Sequence, residues 1–190
     1  IDVSLVGSEM CIRDRSSSES DVTTRACLFD DEYKFNAGGE FQNVMGDQTW
    51  LEGWQEGQDG ESCGTPIAPH NGSNAATWTV DETNKTVTVK GDGAFLGLAK
   101  VHNTGEDGNP ANDEITYVYE MSTDGTEMTV TINYSSSGTN TWQYVFTKNS
   151  KTVALGPFDN TVWTLAPVAG ALGVGPAPGD YSWWSSSESD

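Results

Sequence analysis

Hydrophobic and polar residues alternate along most of this chain with a period of two, the spacing typical of β-strands that bury one face. The alternation is clearest in residues 115–121, where Ile, Tyr, Tyr and Met occupy every second position, and again in residues 128–134. Between them, Thr123-Asp124-Gly125 supplies the residues of a tight turn, so the pattern predicts a β-hairpin. Residues 142–146 alternate in the same way and predict the next strand.

Six other segments alternate in this manner, and no segment has a convincing helical period. In the first of them Asp31 falls on the same face as Tyr33 and Phe35, so we expect this carboxylate at the wet end of the sheet. The pattern predicts an all-β, antiparallel fold of eight to nine strands, either a barrel or a β-sandwich. The six segments are residues 28–36, 40–45, 76–80, 87–89, 94–98 and 161–165.

Residues 46–75 interrupt the alternation and carry Trp50, Trp54, Cys63 and His70. A connection of this length without regular structure is unusual in a compact domain. We therefore expect a functional loop, a compact Ω-like excursion or a poorly ordered segment.

The charge of the chain limits its partners. Lys and Arg number 9 against 28 Asp and Glu in 190 residues, which gives a formal net charge of −19. Nucleic acid and anionic membrane surfaces would be repelled, so neither is an expected partner. No run of residues approaches the roughly 18 apolar residues that a membrane-spanning helix needs, and we expect one soluble domain.

The chain has three cysteines, of which Cys11 lies in a segment that differs in composition from the rest. The remaining pair, Cys27 and Cys63, predicts a disulfide that ties residues 46–75 to the first strand. Such a bond implies an oxidising setting, so we expect a secreted or cell-surface protein.

The hexapeptide Ser-Ser-Ser-Glu-Ser-Asp occurs at residues 16–21 and again at residues 185–190. Our interpretation is a tandem array that the chain cuts inside one repeat, and the alternative is a low-complexity serine linker. Residues 1–15 resemble translated sequencing-adapter read-through and are expected to be disordered. The remaining divisions are a linker at 16–27, a main β domain at 28–156 and, at 157–190, the start of the next copy. We expect residues 161–165 to fold back and close the barrel.

Two groups of short motifs resemble known families. Residues 161–165, 33–41, 76–80 and 86–89 resemble the opening and meander of bacterial lipocalin-like domains. Cys27–Tyr33, Gly46–Trp50, Ala68–His70 and Ala94–Lys100 resemble a repeated secreted module of marine bacterial polysaccharide-degrading proteins, including ones related to family 16 glycoside hydrolases. The resemblance implies a lipocalin-like barrel and a role alongside glycan degradation.

The sequence lacks the motifs of several common catalytic sites. A family 16 hydrolase needs Glu-x-Asp-x-Glu or Glu-x-Asp-x-x-Glu on one strand, and neither occurs here. A nucleophile elbow and a phosphate-binding loop are also missing, and His70 and His102 are the two histidines. We therefore expect no enzymatic activity, no cofactor and no metal. Calcium held by loop carbonyls with Asp30, Asp31 or Asp180 is left open.

Tryptophan carries the functional prediction. Of seven tryptophans, Trp78, Trp142 and Trp163 alternate with polar residues and are expected in the core. The candidates for stacking on sugar rings are Trp50 and Trp54, with Trp183 and Trp184, and the candidates for hydrogen bonds to sugar hydroxyls are Glu52, Gln55 and Asn71.

The predicted function is a non-catalytic glycan-binding or glycan-associated module of a larger secreted protein, in which neighbouring copies act together on a neutral polysaccharide such as a β-glucan. The alternatives are a structural or adhesive cell-surface repeat, a lipocalin-like carrier of small ligands and a fragment of a glycoside hydrolase. An exposed aromatic strip would favour the glycan binder, an apolar interior void the carrier, and burial of Trp50 and Trp54 the structural repeat.

Overall fold

The computed structural model describes residues 19–99, 113–133, 141–149 and 157–179. Their secondary structure is almost entirely β, with two short helices before the first strand. The helices are α1 Glu19–Thr24 and α2 Ala26–Phe29; the strands are β1 Glu32–Phe35, β2 Glu40–Val44, β3 Thr49–Leu51, β4 Ser62–Gly64, β5 Ala76–Asp81, β6 Thr86–Lys90, β7 Glu114–Met121, β8 Glu127–Asn133, β9 Thr141–Lys148, β10 Thr161–Leu165 and β11 Leu172–Gly175.

Eight antiparallel strands form a closed barrel in the order β10-β1-β2-β5-β6-β7-β8-β9, and β9 pairs with β10 to complete the ring. β11 is an extra strand on β9, and β3 pairs with β4 in a separate two-stranded sheet. The prediction of an all-β, antiparallel barrel of eight to nine strands is confirmed. The hairpin predicted at residues 115–134 is formed by β7 and β8, with Met121 opposite Met128.

Closure of the barrel depends on β10, which lies between β1 and β9. Tyr33 pairs with Trp163 on one side, and Trp163 pairs with Lys148 on the other. Strands β10 and β11 run along β9 as one interrupted strand, since Leu165 lies opposite Phe146 and Leu172 lies opposite Tyr144. Residues 166–171 form a loop between them. The origin of β10 as the start of a tandem copy stays a prediction, and residues 1–18 and 180–190 lie outside the described part of the chain.

Three details differ from the sequence prediction near the ends of the barrel. The first strand begins at Glu32 rather than Leu28, because Cys27, Leu28 and Phe29 are all buried. Three consecutive buried side chains suit one helical turn packed against the barrel, whereas a strand would bury alternate ones. The predicted linker at 16–27 is likewise occupied by α1 and α2 over its described part.

The strand predicted at residues 94–98 is also wrong. This segment is buried but irregular, because side chains of the barrel satisfy its backbone in place of a neighbouring strand. The Tyr117 hydroxyl accepts a bond from the Leu96 amide at 3.0 Å, and the Tyr33 hydroxyl donates to the Gly97 carbonyl at 3.0 Å. Gly97 has φ +78° and lies against the Tyr144 ring, where a side chain would collide.

Aromatic side chains fill much of the barrel interior. Phe158 is fully buried and packs on Phe35, Trp78 and Tyr119, which closes one end. At the other end Tyr33 contacts both Phe95 and Phe146, beneath the irregular segment. Trp78, Trp142 and Trp163 are buried as predicted. Within the described residues these rings belong to one hydrophobic core, as side chains do inside small barrels.

Candidate functional site

The β3–β4 hairpin and its connection, residues 49–64, form a cap over one end of the barrel, which we call the cap. A disulfide joins Cys63 of β4 to Cys27 of α2, with the sulfurs 1.96 Å apart and the Cα atoms 6.0 Å apart. The predicted disulfide is confirmed. Residues 46–75 therefore contain a short hairpin that is covalently tied to the start of the barrel, instead of a connection without regular structure.

Trp50 lies inside the cap and is 8% exposed. The Arg25 guanidinium lies 4.3 Å from the centre of its ring and donates to Glu61 Oε2 at 3.1 Å. Arg25 and Glu61 expose only 13% and 9% of their side chains, so this ion pair is largely shielded from water. Trp50 and Arg25 hold the cap on α1 and α2, and the face of Trp50 is not open to a ligand.

Asp31 ties the cap to β1. The Thr49 hydroxyl donates to Asp31 Oδ2 at 2.6 Å, while Asp31 Oδ1 has no hydrogen-bond partner among the described residues. The expected wet position is wrong, because the residue is 1% exposed. Burial raises the pKa of Asp31 to about 8, the nearby charge of Asp30 also raises it, and the bond from Thr49 opposes the shift.

Trp54 is the aromatic residue of the described chain that reaches solvent, with 36% of its surface exposed. The indole meets the His70 ring edge to face, with centroids 5.3 Å apart and planes at 89°. His70 is buried and contacts Phe95 at 6.1 Å. A continuous line of rings thus runs from the barrel core to the surface and ends at Trp54, so a buried ring supports the indole.

The other candidate residues shape loops. Glu52 and Gln55 are buried, and Gln55 Oε1 accepts a bond from the Glu52 amide at 2.8 Å, which closes the turn that carries Trp54. Asn71 Oδ1 accepts from the Ser73 amide at 3.2 Å and from the Ser73 hydroxyl at 2.7 Å. Trp183 and Trp184 lie outside the described residues.

The loop that carries His70 is fixed by two close backbone approaches. A side chain at Gly72 would collide with the Asn43 carbonyl, and one at Gly93 would collide with the Pro69 carbonyl. Both glycines have positive φ, a conformation that other residues rarely adopt. The sequence marks these positions only as glycines among many, so the rigid support of Trp54 was not predicted.

In the described ranges no group of three or more His, Cys, Asp or Glu side chains could hold a metal ion. Within the same ranges no helix is long and apolar enough to cross a membrane. The disulfide indicates a non-reducing environment. Comparison of the chain with models of known families, with curated proteins and with solved structures gives no match.

Proposed function

We propose that this chain is a non-catalytic, extracellular glycan-binding module of a larger secreted polysaccharide-degrading protein. The observation that carries the proposal is the position of Trp54, an exposed indole that stands on the buried His70 ring and on a cap tied down by a disulfide. Pyranose rings present apolar C–H faces to which an indole plane is complementary. Trp54 would provide the stacking surface.

Rigidity of the Trp54 support favours binding, since little side-chain freedom remains to be lost when a ligand stacks on the ring. The turn closed by Gln55 and the contact with His70 both restrain the indole before any ligand arrives. Hydrogen bonds to sugar hydroxyls would come from exposed groups of the cap, because Glu52 and Gln55 are buried in its turn.

The net charge of −19 indicates which glycans would bind. Sulfated or uronic polymers would be repelled, so the expected ligand is a neutral polysaccharide such as a β-glucan. One exposed indole gives weak binding, and neighbouring copies of the module in the parent chain would raise the overall affinity by acting on the same polymer.

A structural or adhesive repeat is the second candidate, and the burial of Trp50 favours it. Trp50 lies beneath Arg25 and serves the packing of the cap, as a purely structural residue would. The two candidates differ at Trp54, because the glycan binder depends on the exposed indole, whereas in a structural repeat the same indole is one of the single apolar side chains that protein surfaces commonly expose.

Affinity electrophoresis against laminarin, mixed-linkage glucan and a sulfated polymer tests the proposal. We expect a neutral glucan to retard the chain and Trp54→Ala to abolish the retardation. Val118→Ala is the matched control, because Val118 is 49% exposed on the outer face of β7 and its loss removes apolar surface elsewhere. Absence of retardation by either neutral glucan, or equal retardation of Trp54→Ala, would leave the structural repeat as the better account.

A further inference from the structure

A second concave surface lies on the outer wall of the barrel, across β5, β6 and β7, and we call it the threonine groove. It is a depression open to solvent, with a volume of about 150 Å³. This volume is comparable to that of one six-membered ring. Its lining residues are Thr77, Trp78, Thr79, Thr88, Lys90 and Glu114.

Register places the polar groups of the threonine groove in two adjacent rows. Thr79 pairs with Thr88, which pairs with Thr116, so three threonines cross three strands side by side. In the next row Thr77 pairs with Lys90, which pairs with Glu114. Because alternate residues of a strand share a face, both rows point away from the core.

Neighbouring polar groups of the threonine groove are hydrogen-bonded to each other. The Thr88 and Thr116 hydroxyls are hydrogen-bonded to each other at 2.8 Å, and Lys90 Nζ donates to Glu114 Oε2 at 2.9 Å. Threonine is also restricted at χ1, since it is β-branched. The threonine hydroxyls therefore lose little side-chain entropy when a ligand binds to them.

The chemistry of the threonine groove disfavours charged ligands and extended peptides. Its one cation is paired with its one carboxylate, so the lining has no surplus charge to attract a charged ligand, and the net charge of −19 disfavours anions further. Its central strand, β6, is bonded on both sides, so an extended peptide cannot add to the sheet there. A neutral, polyhydroxylated ring fits the size and the polar lining.

We propose that the threonine groove binds a single neutral pyranose unit, of the same class of glycan that Trp54 would bind. The inference rests on the proposed function for the identity of the polymer, while the groove itself is defined by its own residues. A hydrogen bond between a groove hydroxyl and a sugar hydroxyl replaces bonds that both groups make with water, so each contributes little to the binding free energy. We therefore expect a Kd in the millimolar range, on the order of 1 mM or weaker.

Amide chemical shifts of the whole chain, titrated with methyl β-D-glucopyranoside and separately with sodium glucuronate, test this proposal. We expect the neutral sugar to shift the amides of Thr79, Thr88 and Lys90 with a saturable dependence, and glucuronate to leave them in place. Thr79→Val and Thr88→Val keep the β-branched shape and remove only the hydroxyl. Each should weaken this binding about fivefold or more.

Thr129→Val is the matched control, because Thr129 is a half-buried threonine of β8 outside the threonine groove. Its binding should equal that of the unaltered chain. Repeating the titration in Trp54→Ala separates the two proposals. The amide shifts of the groove should persist in this variant, because the threonine groove does not include Trp54. Unshifted groove amides at tens of millimolar sugar, or full binding by Thr88→Val and Thr79→Val, would overturn the inference.

Discussion

Replacement of Asp31 by asparagine should change how the stability of this barrel depends on pH. Asp31 is 1% exposed, and its pKa is raised from the ordinary value of 3.8 to about 8. An unfolded chain releases this proton near pH 4, whereas the folded chain keeps it until about pH 8. Between these two values the folded state therefore holds one proton more than the unfolded state.

The sign of the effect follows from this difference in bound protons. When the folded state binds more protons, the free energy of unfolding falls as pH rises, by about 1.4 kcal/mol per pH unit for one group. The stabilisation is complete below pH 4 and is lost as pH rises through the folded pKa of about 8. Across that window the loss attributable to Asp31 is on the order of several kcal/mol.

Asp31→Asn removes the titrating group and keeps its shape and the bond from Thr49. We expect the variant to unfold at a similar denaturant concentration to the parent below pH 4 and at a clearly higher one at pH 9. Asp30→Asn is the matched control, since Asp30 is an adjacent but exposed carboxylate and should leave most of the pH dependence intact.

Equilibrium denaturation at several pH values, followed by tryptophan fluorescence, measures these free energies. The repulsion among the many carboxylates also varies with pH, but it is common to all three proteins and cancels in the comparison. Parallel pH profiles for the parent chain and Asp31→Asn would refute the reasoning, because they would show that Asp31 ionises alike in the folded and unfolded states.

Two further predictions concern the closed ends of the barrel. Replacing Cys27 and Cys63 by serine opens a covalent loop with a sequence separation of 36 residues, and denaturation should show a loss of about 3 to 4 kcal/mol; a loss near zero would mean that the cap is held by packing alone. Phe158→Ala removes a fully buried ring and should lower the free energy of unfolding by about 3 to 5 kcal/mol. Val168→Ala is the control, because Val168 is 56% exposed and its replacement should change that free energy by less than about 0.5 kcal/mol. Equal losses in the two variants would contradict the assigned role of Phe158.

The sequence was most informative where local pattern and tertiary structure agree. In β7 and β8 each inward residue is apolar and each turn residue suits its turn, so alternation alone located the hairpin. The same rule failed at residues 94–98, whose alternation does not reveal that Tyr33, Asn43 and Tyr117 satisfy their backbone. Such bonds join residues far apart in the chain, and no local pattern records them.

The candidate site was predictable to a similar extent. Tryptophans in a segment without alternation marked the cap, and the pair of cysteines indicated how it is tied to the barrel. The different roles of Trp50 and Trp54 were not visible, because they depend on partners elsewhere in the chain. Arg25 covers the first ring and His70 supports the second from below. The sequence shows that both residues are tryptophans, but whether each indole is accessible to a ligand depends on the residue that packs against it.

Three independent links hold the cap, and together they explain how a short hairpin can keep an indole at the surface. The disulfide fixes β4 to α2, the bond from Thr49 to Asp31 fixes β3 to the start of β1, and Arg25 bridges Trp50 and Glu61. An isolated two-stranded hairpin is only marginally stable in water, so the cap depends on these links for its order. Because both strands are anchored, the ends of the connection between them are held against the barrel. The position of Trp54 in that connection therefore depends on the barrel.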